Sequence, residues 1–141
     1  MKFDARYFRV IHVHSAQNSA VSGNYGTARG FDTKGYDSAL VITNIGTPAT
    51  SAEVDITLQE ASSNTGASFG HVSGSSFTQA TPTAASNASQ VGFINLRKRK
   101  RYLRLKAKMD GTNSGRFATN VILFNADYLP ATASVTVKWE I

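Results

Sequence analysis

The chain has 141 residues, of which 41% are apolar and 17% are charged, and its formal net charge is +6. This composition is typical of one globular domain, residues 1–141, and excludes an intrinsically disordered chain. There is no cysteine, so the fold uses neither disulfide bonds nor thiolate metal ligands.

The N-terminal segment carries Asp4 and Arg6 where a secretory signal would need apolar residues. No apolar run approaches the roughly 20 residues that a membrane-spanning helix requires. We therefore expect a protein that is made in the cytoplasm, stays soluble and has no membrane partner.

Strand patterns follow one another along the first half of the chain. Residues 5–14 are rich in β-branched and aromatic side chains, and residues 38–45 are apolar on both parities. The second pattern predicts a central strand that is covered on two sides. Residues 52–60 alternate cleanly, which predicts a half-buried strand with four inward-facing residues: Ala52, Val54, Ile56 and Leu58.

Further strands are predicted in the second half. Residues 91–96 and 101–109 are expected to form a hairpin across the intervening basic turn, with Val91, Phe93 and Leu96 in the core. Strands are also predicted at residues 117–125 and 133–141, both of which contain apolar alternation or β-branched runs.

No stretch of ten or more residues shows a convincing helical period, and residues 79–90, with Pro82, favour an extended loop. Seven to eight short strands without crossover helices predict an all-β fold, an antiparallel β-sandwich. Within that class we expect a jelly roll.

A basic segment stands out: residues 95–110 contain eight of the fifteen Lys and Arg residues. From residue 101 onward the pattern alternates, so Tyr102, Arg104, Lys106 and Lys108 are predicted to form a cationic outer strand face. No Asp or Glu lies between Glu60 and Asp110. Because five consecutive cations repel one another, the run at 97–101 favours a partner with an anionic surface.

Catalytic and metal sites are poorly supported. His12 and His14 are two residues apart on a predicted strand, as in the H-x-H pair of cupin-type metal sites, but no nearby carboxylate or third histidine completes a ligand set. The interpretation favoured here is two partly exposed strand histidines. No nucleophile elbow or phosphate-binding glycine loop is present, so we expect neither an enzyme nor a cofactor.

Nucleic-acid binding is an alternative interpretation of the basic segment. A basic strand with Tyr102 on its cationic face is similar to sheets that stack single-stranded bases on aromatic side chains. The paired aromatics of the RNP consensus are absent, so we favour a protein partner.

Three segments resemble a known family: residues 31–46 (FDTKGYDSALVITNIG), 52–60 (AEVDITLQE) and 91–104 (VGFINLRKRKRYLR). Together they look like the capsid cement or decoration proteins of tailed bacteriophages, and most like a jelly-roll cement protein of a short-tailed phage. The resemblance implies an all-β subunit on the outside of an HK97-type shell, bound to the major capsid protein near two-fold or three-fold positions. It also implies a virion location. A tail or head-completion role remains open, because the strand pattern does not distinguish it.

Copies of a cement protein usually associate with closed symmetry, so we expect a homo-oligomer, with a dimer favoured over a trimer. The charge pattern and the N-terminal aromatic residues suggest the capsid contacts, and a strand or arm from residues 1–9 could pair with a neighbour. The predicted contact residues are Arg97, Lys98, Arg99, Lys100, Arg101, Arg104, Lys106, Lys108, Phe3, Tyr7 and Phe8.

Overall fold

The computed structural model describes residues 8–19, 23–25, 30–48, 52–81, 88–110 and 115–126. Within these ranges the chain forms strands and two short 3₁₀ turns, and no helix there is long and apolar enough to cross a membrane. The strands are β1 (Phe8–Ser19), β2 (Gly23–Tyr25), β3 (Phe31–Asp32), β4 (Tyr36–Ile45), β5 (Glu53–Ala61), β6 (Gly70–Ser76), β7 (Ala88–Asn95), β8 (Tyr102–Asp110) and β9 (Gly115–Ala126).

The strands form two antiparallel sheets. Sheet A has the order β1-β9-β4-β7, and sheet B has the order β2-β8-β5-β6, with β3 also paired to β8. One buried apolar cluster draws its side chains from both sheets. The predicted all-β antiparallel sandwich is therefore confirmed.

The predicted hairpin between residues 91–96 and 101–109 is wrong, because β7 lies in sheet A and β8 lies in sheet B. Leu96 begins a 3₁₀ turn and is only 7% exposed. The Asn95 side chain accepts a hydrogen bond from the Arg97 backbone, and Arg99 N–H donates to the Leu96 carbonyl. Burial of Leu96 between the sheets turns the chain across the sandwich, so we call residues 96–101 the basic crossing.

Alternation in β5 and β8 places the core as predicted. The inward side chains of both strands are buried at 4% exposure or less, and they are Val54, Ile56, Leu58, Leu103, Leu105, Ala107 and Met109. Sheet A contributes the opposite layer, in which the hydroxyls of Thr43 and Thr119 form a hydrogen bond of 3.0 Å. The pairing satisfies two polar groups that are fully buried between neighbouring strands.

Strand β7 has the opposite orientation to the predicted one. Val91 and Phe93 are 62% and 66% exposed, whereas Gly92 and Ile94 face inward. Residues 93 and 96 have opposite parity in a strand, so Phe93 cannot share the core with Leu96. The Phe77 ring fills the inner position beside Gly92, where an added Cβ would lie 3.1 Å from it.

Strand β4 is central in sheet A, as predicted, but its second side is less covered than predicted. Val41 is buried, whereas Leu40 and Ile42 on the outer side are half-buried. Strand β1 extends to Ser19, beyond the predicted end at residue 14. Residues 5–7 and the predicted strand at 133–141 lie outside the described residues.

Candidate interaction surfaces

The outer face of sheet B carries the predicted cationic strand. Tyr102, Arg104, Lys106 and Lys108 lie on this side of β8, opposite the buried residues. The register places the polar residues of β5 beside them, with Asp55 opposite Lys108 and the others in the pairs Thr57–Lys106 and Gln59–Arg104. The cations therefore lie in a mixed polar surface.

Arg104 is held by neighbouring residues of the same sheet. Its Nε donates to Gln59 Oε1 at 2.8 Å, and its guanidinium lies 4.3 Å from the centre of the Phe69 ring. Both contacts restrict the side chain, because a planar guanidinium stacks on aromatic faces while donating in its plane. Arg104 is half-buried as a result.

All three arginines of the basic crossing pair with carboxylates of this chain. The acids come from the first 60 residues, which the fold brings to the acid-free segment. The pairs are Arg97–Asp37 at 2.5 Å, Arg99–Glu60 at 3.7 Å and Arg101–Asp32 at 2.6 Å. Internal acids thus neutralise much of the charge that the sequence pattern assigned to an external partner.

Asp32 is fixed by the turn between β3 and β4. Its Oδ1 accepts a hydrogen bond from the Lys34 backbone, and Gly35 has a φ of 83°, which favours glycine. Thr33 anchors the same turn by donating from both N–H and Oγ1 to the Arg101 carbonyl at 3.0 and 2.7 Å. This arrangement aligns both carboxylate oxygens with Arg101 Nε and Nη2, at 2.9 and 2.6 Å.

These pairs shift the titration of their members in the directions that ion pairing requires. The hydrogen bond from Arg101 lowers the pKa of Asp32, and the hydrogen bond from Arg97 lowers the pKa of Asp37. At the far end of β8, the Asp110 carboxylate raises the pKa of Lys108, which it contacts at 2.5 Å. The pairs are therefore charged at neutral pH.

Three lysines of the predicted contact set have no side-chain ion pair or hydrogen bond within the described part of the chain: Lys98, Lys100 and Lys106. Lys98 and Lys100 are exposed on the basic crossing. Lys106 lines a shallow groove of about 330 Å³ together with Thr57 and Phe77. Within the predicted contact set, these three ammonium groups are the ones that no contact among the described residues holds.

Tyr102 is less accessible for base stacking than its position on a cationic strand predicts. The Arg101 guanidinium lies 5.0 Å from the centre of its ring, and the tyrosine is half-buried. A nucleobase that stacked on that face of Tyr102 would have to displace an arginine that Asp32 holds.

The predicted N-terminal contact residues lie apart from these cations or outside the described residues. Phe3 and Tyr7 lie outside them. Phe8 begins β1 and is paired in register with Phe124 of β9, so it lies in sheet A. The sandwich therefore does not bring Phe8 and the cationic strand to one surface.

The outer face of sheet A is apolar, a surface that the sequence analysis did not predict. Its rows follow from the register, in which Val10, Ile122, Leu40 and Phe93 lie side by side across four strands. We call this surface the apolar face, and it consists of Phe8, Val10, Leu40, Ile42, Val91, Phe93, Ile122 and Phe124.

Polar but uncharged residues border the apolar face. His12 Nδ1 and Asn120 Oδ1 are 2.8 Å apart, and the Ser89 hydroxyl donates to Asn44 Oδ1 at 2.6 Å. The rings of Phe93 and Phe124 are in contact, with centres 5.8 Å apart. Within the described rows of the face no residue is charged; Arg116 lies beyond its end.

His12 and His14 do not form a shared site. An irregularity in the β1–β9 register falls between them, so that the exposed His12 contacts Asn120 while His14 is buried at 5% exposure. The His14 ring packs edge-on against Phe117 at 5.3 Å. The expectation that both histidines are partly exposed is therefore wrong for His14. The described residues contain no cluster of three or more potential metal ligands.

Burial lowers the pKa of His14, and this outweighs the opposite influence of the Leu105 backbone. Neither ring nitrogen has a well-formed hydrogen bond among the described residues. His14 is therefore a neutral core residue at neutral pH.

A comparison with protein-family models and with curated proteins finds no match.

Proposed function

We propose that this protein is a structural component of a bacteriophage virion that binds the outside of an HK97-type capsid and holds neighbouring major capsid subunits together. One observation carries the choice of a protein partner: Asp32, Asp37 and Glu60 neutralise the arginines of the basic crossing within the chain. The resemblance of residues 31–46, 52–60 and 91–104 to phage cement proteins supports the capsid as the partner.

The internal ion pairs weaken the case for nucleic acid. Affinity for a polyanion rises with the number of phosphates that free cations neutralise. Here Arg97, Arg99 and Arg101 already contact carboxylates. Binding to phosphate would require these pairs to break, or would rely on the few lysines that lack them.

A protein partner needs fewer free cations. Lys98 and Lys100 on the basic crossing and Lys106 on β8 could each meet a carboxylate of an acidic capsid surface. Pairs of this kind steer encounter and fix register more than they add affinity. Many copies on a symmetric lattice compensate for weak individual contacts, because binding at several sites is multivalent.

The jelly-roll prediction belongs to the same proposal. From β3 onward, each connection between successive strands crosses to the other sheet, except the one from β5 to β6. Crossing connections between two four-stranded layers are expected of a double Greek key. This strand order supports a jelly roll, a rigid scaffold suited to a structural role.

The test compares shell binding with DNA binding. The purified chain is mixed either with expanded, DNA-free shells of the phage that encodes it or with a 30-base-pair duplex. We expect saturable co-sedimentation with the shells at physiological salt. Duplex binding at that salt without shell binding, with affinity falling steeply as salt rises, would contradict the proposal.

A matched pair of variants tests the contact surface. The triple variant Lys98→Gln, Lys100→Gln, Lys106→Gln should lower shell affinity by about 3-fold to 150-fold, since each lost pair is worth about 0.2–1 kcal/mol. The control Thr47→Glu, Ser73→Glu, Thr78→Glu lowers the net charge by the same amount at exposed positions elsewhere. Equal losses in both variants would show a general charge effect and contradict a specific lysine surface.

A further inference from the structure

We infer that the apolar face binds a second copy of this chain, so that two sandwiches associate through their sheets A. The sequence predicts a homo-oligomer, and the only contact with a neighbour that it suggests is an arm from residues 1–9. The inference rests on the composition, extent and surroundings of the apolar face. The capsid role is not needed for it.

The face is more apolar than the outside of a sheet in a monomer usually is. Antiparallel sheets with one solvated side normally alternate between apolar and polar residues. On sheet A, eight outward residues in four adjacent strands are apolar, and Val91 and Phe93 are 62% and 66% exposed. A contiguous apolar surface bordered by polar groups is typical of a protein interaction site.

Its extent is sufficient for a reversible dimer. Neighbouring strands are about 4.8 Å apart and outward residues recur about every 6.8 Å, so each outward side chain covers about 33 Å² of the sheet plane. The eight apolar residues therefore cover about 260 Å² per copy, and the polar residues of the same three rows raise the covered area to about 400 Å², before side-chain relief is included. A total of about 800 Å² is below the area of most specific interfaces and is typical of weak, transient ones, so we expect a dissociation constant of about 10–100 μM.

The charge distribution favours a second copy as the occupant. The chain has a net charge of +6, so copies repel one another unless their contact surfaces are free of cations. The cations of β8 lie on the other sheet, and those of the basic crossing lie beyond the end of β7, so the described residues of the apolar face are uncharged. A two-fold contact can therefore place this face against itself without opposing like charges.

Other occupants fit the face less well. An acidic capsid surface would gain nothing from charge complementarity with a neutral face. Residues 133–141 alternate between apolar and polar, but one strand lying flat on a sheet would leave its own backbone groups unpaired. A second sheet brings its backbone already hydrogen-bonded and offers side chains that can interdigitate at about 10 Å separation.

The dimer also suggests how the protein would contact capsid subunits, and this suggestion rests on the proposed capsid role. Residues 96–101 connect the end of β7 to the start of β8, so the basic crossing lies at one end of the sandwich. A two-fold axis parallel to the strands places the crossings of both copies at the same end. The paired protein would then present two cationic contacts to adjacent capsid subunits.

Sedimentation of the isolated protein tests the inference without any shell. Between about 1 and 200 μM, the wild-type chain should pass from monomer to dimer, in the concentration range expected for an interface of this size. The variant Val91→Lys, Phe93→Lys places two cations on each face and should raise the dissociation constant at least 100-fold. Circular dichroism checks that the exposed substitutions leave the fold intact.

The control variant Thr65→Lys, Ser73→Lys adds the same charge at exposed positions of β6 and of the segment that precedes it, and its dimerisation should match that of the wild type. A wild-type chain that stays monomeric at every concentration would overturn the inference. So would a dimer that survives the Val91 and Phe93 substitutions, because another surface would then hold it. Loss of shell binding with dimerisation intact would contradict the capsid role alone.

Discussion

The two outer faces of the sandwich differ although one core supports both. The outer face of sheet B alternates with buried residues in the usual way and carries paired charges, as at Arg101–Asp32. The outer face of sheet A is apolar, and Phe93 on it is 66% exposed. Alternation along a strand therefore identifies which side is buried only where the other side is polar.

The largest expected effect is a loss of stability, and it compares a truncation in the core between the sheets with a truncation on the apolar face. Leu105 is 1% exposed between the sheets, so Leu105→Ala should lower the free energy of unfolding by about 2–5 kcal/mol, through lost burial and the cavity that remains. Urea denaturation measures this loss, at a protein concentration well below the dissociation constant of the inferred dimer.

Phe93→Ala is the matched truncation on the outside of sheet A, where less than half of the ring area is covered. It should cost the monomer about 1 kcal/mol or less. If Phe93→Ala destabilised the monomer as much as Leu105→Ala, the apolar face would be part of a core, and the contrast between the faces would fail.

The next effect concerns the pH dependence of the core at His14. Burial lowers the pKa of His14 in the folded chain below its ordinary value of 6.5. At a pH between the folded-state and unfolded-state pKa values, the unfolded chain therefore binds more protons than the folded chain. His14 therefore causes no loss in the free energy of unfolding above about pH 6.5. Below that pH the free energy of unfolding falls as the pH decreases, by at most about 1.4 kcal/mol per pH unit. Urea unfolding at pH 7.5, 6.5, 5.5 and 5.0 measures the slope.

His14→Leu should remove this slope, whereas His12→Gln should keep it, because the His12 ring is exposed beside Asn120. An identical slope in the wild type and His14→Leu would show that other groups cause the pH dependence. In that case His14 would not be the neutral core residue described above.

The smallest expected effect concerns the paired charges of sheet B. Asp32→Asn with Glu60→Gln keeps the side-chain shapes but removes the two carboxylates that neutralise Arg101 and Arg99. We expect little change in thermal stability, because exposed ion pairs contribute little. Affinity for heparin or duplex DNA should rise several-fold and should become more dependent on salt.

Glu53→Gln with Asp55→Asn is the control, because it raises the net charge by the same amount and both acids lie on β5 near Lys108, outside the basic crossing. It should leave polyanion affinity closer to that of the wild type. Unchanged affinity in the double variant would mean that the internal pairs do not limit binding to polyanions, and the reason for preferring a protein partner would be lost.

The sequence predicts parts of the fold where one physical signal dominates. Polar and apolar residues alternate over residues 53–59 of β5 and 102–110 of β8, so Ile56 and Leu105 could be assigned to the core. In β7 the signal is ambiguous, because the outward-facing Val91 and Phe93 are as apolar as the inward-facing Ile94. Only the packing of Leu96 and of Phe77 against Gly92 determines which side faces inward.

The candidate surfaces were less predictable, since they depend on contacts between distant residues. Arg101 and Asp32 are 69 residues apart, and Arg97 and Asp37 are 60 apart. No local pattern indicates that these acids would reach the basic crossing. A connection as short as residues 96–101 is also compatible with either a hairpin or a passage between sheets, so the choice depends on the burial of Leu96.

The proposed capsid role is tested most directly by an electron cryomicroscopy reconstruction of expanded HK97-type shells incubated with the purified protein. We expect ordered density on the outer surface, with residues 96–101 against major capsid subunits and sheets A of two copies facing each other. Density inside the shell with the basic crossing against packaged DNA, or a crossing that faces solvent, would contradict the account.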